Sequence, residues 1–176
     1  MSFQNLVQRR YSARQYSDKP VLETAIDQII AIGGNAPVGQ HNYQSLHFTV
    51  ITEPTLLQEI RDFGRNEHRE PTYNCPCLIL VSSNRYPDPF AYQDAACAID
   101  HMCLAATDMG IDNVYLYGFL RDMKDYQPIV KKLNLPEGYV IIAGLGLGYS
   151  NQAHTPKAAL TSQVCVNKIL EGYPTK

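Results

Sequence analysis

A long alanine-rich segment from Phe90 to Met109 constrains the fold of this 176-residue chain more than any other feature. Six alanines alternate there with bulkier apolar side chains such as Ile99 and Met102. A helix that is apolar on nearly all sides lies at the centre of a protein, where small side chains let neighbouring elements approach closely. Gly110 predicts its C-terminal end. We also predict a dimer, because a monomer would leave an apolar patch of this helix exposed.

The remaining pattern predicts strands separated by helices. Apolar residues at helical spacing from Leu22 to Ile30 are followed by Gly33-Gly34, which ends that helix. Further elements are predicted as strands at 47–51, 77–81, 114–116 and 139–148, and as helices after Pro54 and around 123–133. Because these elements do not follow a regular βαβ rhythm, the α+β class is favoured over a doubly wound sheet. The length predicts one domain spanning residues 1–176.

Charge and composition exclude several classes of function. A net charge of -2 and a pI near 6.2 argue against nucleic-acid binding, which needs a strongly basic surface. No apolar run reaches the ~18–20 residues that span a bilayer. The N-terminus lacks the apolar core of a signal peptide, and the five cysteines are odd in number and scattered. We therefore expect a cytoplasmic protein with reduced thiols.

A zinc site is an alternative explanation for part of the central helix. Cys97 and His101 are four residues apart and would share a helix face, with Cys103 nearby. The chain has no CxxC pair and no second histidine at ligand spacing, so burial of these cysteines is favoured over metal binding. A zinc-binding module nevertheless stays open as a third functional hypothesis.

A basic cluster near the N-terminus is the first segment that could bind a ligand. Arg9, Arg10 and Arg14 flank Ser12 there, and Lys157 offers a further cation near the other end of the chain. A guanidinium presents a planar fork of donors that matches phosphate oxygens, and a serine hydroxyl adds another donor. The cluster could therefore hold the terminal phosphate of a small cofactor. A solvated charged surface is the alternative.

Three further segments could contact a flat ligand. The polar loop 36–44 carries amides that suit a ring edge with alternating carbonyl and N–H groups, although an ordinary turn explains it equally well. Gly118 interrupts an apolar strand and permits close backbone approach to a flat ligand, although a bulge or the end of the strand explains this glycine more simply. The run Gly144–Gly148 is not a dinucleotide fingerprint, because its spacing is G-x-G-x-G and no helix follows. Its alternating glycines predict a strand face against which either a helix or a cofactor packs closely.

In this order, the segments resemble the FMN-dependent nitroreductase family over most of the chain. The family's Arg-x-Ser-x-Arg/Lys element is matched by Arg10, Ser12 and Arg14. Its loop is matched at Ala36, Pro37, Gly39, Asn42 and Gln44, and residues 88–92 resemble the start of its central dimer helix. The triplets 117–119 and 147–149 match its Gly-Phe and Leu-Gly-Tyr signatures.

The resemblance implies a nitroreductase-like fold with a central, mostly antiparallel sheet flanked by helices. It also implies an intertwined homodimer with two FMN sites at the interface, at least one polar loop residue being contributed by the partner subunit. The cofactor-binding residues it implies are Arg10, Tyr11, Ser12, Arg14, Pro37, Val38, Gly39, Asn42, Gln44, Tyr117, Gly118 and Lys157. His41, Tyr43 and Phe119 would shape the substrate pocket. No catalytic side chain and no metal are expected, because the flavin carries the redox chemistry.

The function implied is hydride transfer from NADH or NADPH, through FMN, to a nitroaromatic, quinone or similar acceptor. The sequence departs from the family pattern in its loop: Val38 replaces a serine, one residue is inserted before Asn42, and Ser45-Leu46 stands where Pro-Trp is common. The chain is also short and lacks lid insertions, which predicts an open site. These departures motivate an alternative function, a flavin-binding or flavin-sequestering protein with little turnover.

Overall fold

The fold is a four-stranded antiparallel sheet with helices on both faces. A computed structural model describes residues 2–65 and 70–169. The strands are β1 (Leu46–Ile51), β2 (Cys77–Ser83), β3 (Asp112–Leu116) and β4 (Val140–Gly148), in the order β1-β2-β4-β3. The helices are α1 (Phe3–Arg9), α2 (Glu23–Gly33), α3 (Pro54–Gly64), α4 (Pro89–Asp108), α5 (Leu120–Met123) and α6 (Gln127–Val130). Short 3-10 turns occupy Gly39–His41, Tyr43–Ser45 and Lys131–Leu133.

Helix α4 is the predicted central helix. Pro89 stands in its first turn, and the Asp88 carboxylate caps it by accepting from the backbone N–H of Phe90 at 2.9 Å. That N–H, together with Arg85, holds the pKa of Asp88 below its usual range. Gly110 follows the helix with a φ of +71°, a left-handed conformation that glycine adopts without strain. Ile99 and Met102 are fully buried at the centre of the helix.

The two faces of the sheet carry separate apolar clusters. The first face packs against α2 and α4, and its cluster includes Ile79, Val81 and Leu145. The second face packs against α3, α5 and α6, and its cluster includes Leu78 and Leu80. Since successive residues of a strand point to opposite faces, the continuous apolar run of β2 supplies both clusters. The α+β prediction with an antiparallel sheet is confirmed.

The alternating glycines of β4 lie on the second face, and protein side chains occupy the space beside them. A Cβ at Gly144 would lie 2.9 Å from a methyl carbon of Leu120. At Gly148 it would lie 2.7 Å from ring carbons of both Tyr16 and Pro76. The sequence left open whether a helix or a cofactor packs here. The close neighbours in the structure are the chain's own side chains.

The chain beyond β4 is extended. Residues 149–169 form no helix or strand, and they carry the exposed apolar side chains Val164, Val166 and Ile169. Within the described residues, no helix has the length and apolar character needed to cross a bilayer. The extended segment turns back over one end of the sheet and reaches α1, where the backbone N–H of Lys157 donates to the Gln8 carbonyl at 3.1 Å.

We expect Gly148→Ala to destabilise the fold, because the new methyl would overlap Tyr16 and Pro76. Overpacking of this kind costs about 1–3 kcal/mol of unfolding free energy. Urea unfolding followed by circular dichroism measures the loss. Gly118→Ala is the matched control, since its Cβ would meet no atom within 4 Å. Equal midpoints for Gly148→Ala and the wild type would contradict the packing described for this face.

Candidate functional site

The candidate site begins where the N-terminal segment joins the edge strand β3. Ser12 forms a parallel bridge with Asn113, and the backbone N–H of Ala13 donates to the Asn113 carbonyl at 3.0 Å. Residues 10–14 therefore continue the sheet beyond β3 for a short distance. This pairing gives the basic cluster an extended backbone, whose side chains alternate between the two faces of the sheet.

This alternation puts the phosphate-binding candidates on one face of the segment and the residues between them on the other face. Ala13 is fully buried in the second-face cluster, and Tyr11 packs against the same cluster. Arg10, Ser12 and Arg14 alternate with these two residues and so share the opposite, first face. The motif spacing Arg-x-Ser-x-Arg thus places three candidate donors on one side of the segment.

Helix α4 forms the other wall of this region. The buried Asn113 amide donates to the Cys103 carbonyl and to Thr107 Oγ1, both at 3.1 Å, which ties β3 to the helix. Burial raises the pKa of the Cys103 thiol to about 12, Asp100 adds to the rise, and the nearby Arg10 guanidinium opposes it. Arg10 therefore lies beside α4 as well as beside β3.

We call the groove the strip of first-face surface that follows the basic cluster along β3, where Tyr115 and Tyr117 are exposed. Tyr115 follows Asn113 by two residues, shares its face, and is 42% exposed. From Asn113 to the end of β3 the chain rises about 10 Å, at ~3.3 Å per residue. The groove then reaches Tyr117 and Gly118. A Cβ added at Gly118 would meet no atom within 4 Å, so the space beside its backbone is open. A strip with cations at one end and exposed tyrosine rings at the other suits an elongated ligand with an anion at one end and a flat ring at the other.

Cations at the N-terminal end of the groove have no carboxylate partner. Over residues 2–65 and 70–169, no ion pair involves Arg10, Arg14 or Lys157. The Arg14 backbone N–H donates to Gln152 Oε1 at 3.0 Å, and the Lys157 backbone bonds to Gln8. The structure thus brings position 157 beside the N-terminal segment. Its unneutralised positive charge suits an anionic group.

The polar loop lies at the opposite edge of the sheet. It leads into β1, and its Gln44 carbonyl accepts from the Tyr139 hydroxyl. Two strands separate β1 from β3, which puts the edges roughly 14 Å apart at ~4.8 Å per strand. β1, which follows the loop, and β3, which pairs with the basic segment, are therefore at opposite edges of the sheet. The candidates that this separates from Arg10 are Pro37, Val38, Gly39, His41, Asn42, Tyr43 and Gln44.

Asp94 of α4 fixes the conformation of this loop. Its Oδ1 accepts from the Gly39 backbone N–H at 2.8 Å, although the side chain is only 4% exposed. Gly39 packs directly on the Phe90 ring, because a Cβ there would lie 2.4 Å from a ring carbon. Sequence reasoning missed Asp94. The available signal was a carboxylate in the first half of the alanine-rich segment, which also contains Asp100 and Asp108.

A tyrosine cluster at the far end of the groove was also missed. The rings of Tyr86 and Tyr92 are 6.3 Å apart, and Lys124 Nζ lies 5.3 Å from the centre of the Tyr86 ring. Partial desolvation raises the pKa of Tyr92, and the nearby hydroxyls of Tyr86 and Tyr117 add to the rise. These rings extend the aromatic surface that Tyr117 begins. Phe119, expected in the substrate pocket, packs instead toward the second face beside Gly64.

The zinc hypothesis gains no support from the geometry. A ring nitrogen of His101 lies 3.1 Å from the Cys97 carbonyl oxygen, while Cys103 is buried in the first-face cluster. Among the residues that the structure describes, no three His, Cys, Asp or Glu side chains are grouped as a metal site would require. Burial also raises the pKa of the Cys75 and Cys77 thiols to about 12.

Comparison with known proteins identifies the family. The family model described as "Nitroreductase family" matches residues 7–149. A protein of Archaeoglobus fulgidus named "Putative NADH dehydrogenase/NAD(P)H nitroreductase" is 25% identical over 146 residues, which cover 82% of this chain and 83% of that protein.

Solved structures agree with this match. A nitroreductase with bound FMN from Bacteroides fragilis superposes with a TM-score of 0.79 at 24% identity, covering 93% of this chain and 97% of its own. Another with bound FMN, from Desulfitobacterium hafniense, gives a TM-score of 0.78 at 21% identity, covering 93% and 96%. This chain has the nitroreductase fold, and it belongs to the nitroreductase family of oxidoreductases.

Proposed function

We propose that this protein is an FMN-dependent oxidoreductase that takes hydride from NADH or NADPH and passes it to a nitroaromatic, a quinone or a similar acceptor. The observation that carries the proposal is that Arg10, Arg14 and Lys157, which form no ion pair within the described residues, stand at one end of a groove that leads to Tyr117 and Gly118. The bound FMN in the Bacteroides fragilis and Desulfitobacterium hafniense structures and the name of the Archaeoglobus fulgidus relative support it.

The phosphate would lie against the first face of the N-terminal segment. Arg10 and Arg14 offer guanidinium donors there, and Ser12 offers a hydroxyl between them. The residues fit the group, because these cations and Lys157 have no carboxylate partner in the described part of the chain. Charge-assisted hydrogen bonds to phosphate are the strongest kind that a surface groove can supply.

The flavin ring would lie toward Tyr117 and Gly118. FMN supplies the hydride chemistry, and the protein contributes binding, orientation and electrostatics. The exposed Tyr115 and Tyr117 side chains offer flat surfaces beside the ring, and the open space at Gly118 admits a ligand close to the backbone. The tyrosine cluster with Tyr86 and Tyr92 would bound the space where the acceptor enters.

We also propose that the protein acts as a homodimer whose partner supplies the polar loop. The loop lies at the sheet edge opposite the groove, so Asn42 and Gln44 would contact a flavin held mainly by the other subunit. The outer face of α4 supports a subunit contact, because Tyr92 and Ala96 are exposed there one turn apart. The exposed apolar side chains of residues 160–169 offer further surface for a partner.

Each subunit would then be one domain, residues 1–176, acting in the cytoplasm. All five cysteines are free thiols, which supports a reducing compartment.

The second candidate function, flavin binding with little turnover, is favoured by Val38. This side chain is half-buried at the loop and has no polar atom for a cofactor, unlike the serine it replaces. Ser45 does not substitute for it, because its buried hydroxyl donates to the Asn42 carbonyl at 2.7 Å.

Steady-state oxidation of NADH and NADPH separates the two candidate functions. We expect purified protein loaded with FMN to oxidise one or both donors when nitroaromatics or quinones are supplied, because the open groove admits both partners. Absorbance at the nicotinamide band measures the rate. Tight FMN binding without turnover across the acceptor panel would favour the sequestering function instead.

The phosphate assignment predicts that Arg10→Ala and Arg14→Ala each weaken FMN binding by about 1.5–3 kcal/mol, the range for a hydrogen bond to a charged group. Flavin fluorescence titration measures the affinity, and wild-type protein is expected to purify yellow. Lys132→Ala is the control, since Lys132 pairs with Glu59 on the opposite side of the sheet. Wild-type affinity in both arginine variants would refute the assignment, and failure of the wild type to bind FMN would end the proposal.

For the dimer, multi-angle light scattering is expected to give twice the 19.8 kDa mass of one chain. The reason is that the groove and the polar loop lie on opposite sheet edges of each chain. Removing residues 160–169 and those that follow is expected to raise the dimer dissociation constant. A monodisperse particle of 19.8 kDa at micromolar concentration would exclude the two-subunit site.

A further inference from the structure

The segment after β4 is held against the phosphate-binding segment at several points. We call residues 149–157 the strap. Its first contact is at Tyr149, whose carbonyl accepts from the backbone N–H of Ser17 at 2.8 Å and from the Ser17 hydroxyl at 3.0 Å. Next, the Ser150 backbone N–H donates to Asp112 Oδ2 at 2.7 Å. The start of the strap is thereby fixed to the end of the sheet.

Two more hydrogen bonds flank the phosphate-binding segment. Gln152 Oε1 accepts from the Arg14 backbone N–H at 3.0 Å, and the Lys157 backbone N–H donates to the Gln8 carbonyl at 3.1 Å. The strap therefore crosses the segment from Arg14 back to the end of α1. One bond uses the Arg14 backbone and the other uses the Gln8 backbone of α1, so neither bond occupies the Arg10 or Arg14 guanidinium.

An aromatic stack lies between these two hydrogen bonds. The rings of Tyr11 and His154 are 3.9 Å apart at an angle of 13°, a nearly parallel stack. The Tyr11 hydroxyl interacts with Ser150 and Asp112, which fixes the tyrosine from its other end. His154 Nε2 is enclosed and has no hydrogen-bond partner within the described residues, so the visible contact of this ring is the stack itself.

We propose that the strap is a positioning element for the cofactor phosphate and that His154 is its central residue. Tyr11 stands between Arg10 and Ser12 and points to the opposite side of an extended backbone. Holding the Tyr11 ring therefore fixes the direction in which its two neighbours project. The same strap carries Lys157 to the segment. The inference rests on the proposed FMN function and adds a role for residues that do not themselves face the phosphate.

Preorganisation is the physical reason for such an element. Ordering long cationic side chains and an extended segment costs conformational entropy, and a site ordered before binding avoids that cost when the ligand arrives. A cavity of about 360 Å³ lies between the strap and the start of β3, with Tyr11 and His154 in its lining. The strap contacts the segment through the hydrogen bond from Arg14 to Gln152 and through the stack of Tyr11 on His154.

The test measures FMN affinity in His154→Ala, His154→Phe and Gln152→Ala. His154→Ala removes the stack, and we expect it to raise the FMN dissociation constant about five- to tenfold, which lies within the roughly two- to twelvefold range of an aromatic pair. His154→Phe keeps a flat ring and is expected to stay within about twofold of the wild type. Gln58→Ala is the matched control for Gln152→Ala, because Gln58 makes one exposed hydrogen bond on α3.

A double-mutant cycle with Lys157→Ala distinguishes positioning from general stabilisation. If the strap orients Lys157, the combined loss in His154→Ala/Lys157→Ala is expected to be at least threefold smaller than the product of the single losses. Losses that multiply, or wild-type affinity in His154→Ala, would overturn the inference while leaving the FMN function intact. Failure of the wild-type protein to bind FMN would contradict both this inference and the proposed FMN function. If His154→Ala does not fold, the cycle is made with Gln152→Ala and Lys157→Ala, and the combined loss is compared with the product of the single losses in the same way.

Discussion

The pairing of the N-terminal segment with β3 is the contact on which the site depends. Asn113 stands at its centre: its backbone carbonyl accepts from Ala13, and its amide, only 2% exposed, donates to α4. A buried amide without partners would be costly, so these bonds hold the segment, the strand and the helix in one arrangement. The groove exists because three elements meet at this residue.

The order of strands then determines how the site can be completed. β3 and β1 are the two edges of the sheet, so the basic groove and the polar loop face away from each other in one chain. Asp94 and Phe90 of α4 hold the polar loop at Gly39 in a fixed conformation. A loop held in this way suits a rigid contact with a neighbouring molecule. In the proposed homodimer, each edge would supply half of a site.

Much of this architecture could be read from local patterns. The central helix, its capping residues and the apolar strands follow from periodicity. In an extended segment, the Arg10-x-Ser12-x-Arg14 spacing places all three side chains on one face. The alternating glycines of β4 were ambiguous, because their spacing predicts that something packs close to the strand but does not distinguish a protein side chain from a cofactor. The contact of Tyr11 with His154 could not be predicted, since it joins residues 143 positions apart. Asp94 was missed because a lone carboxylate in a helix does not reveal which backbone N–H it will meet.

The buried thiols have a consequence for durability in an oxidoreductase. Oxidants and disulfides react with the thiolate form of cysteine, and burial raises the pKa of Cys75, Cys77 and Cys103 to about 12, so their thiols stay protonated at neutral pH. These three cysteines therefore serve as small apolar side chains of the core and are poor targets for oxidation.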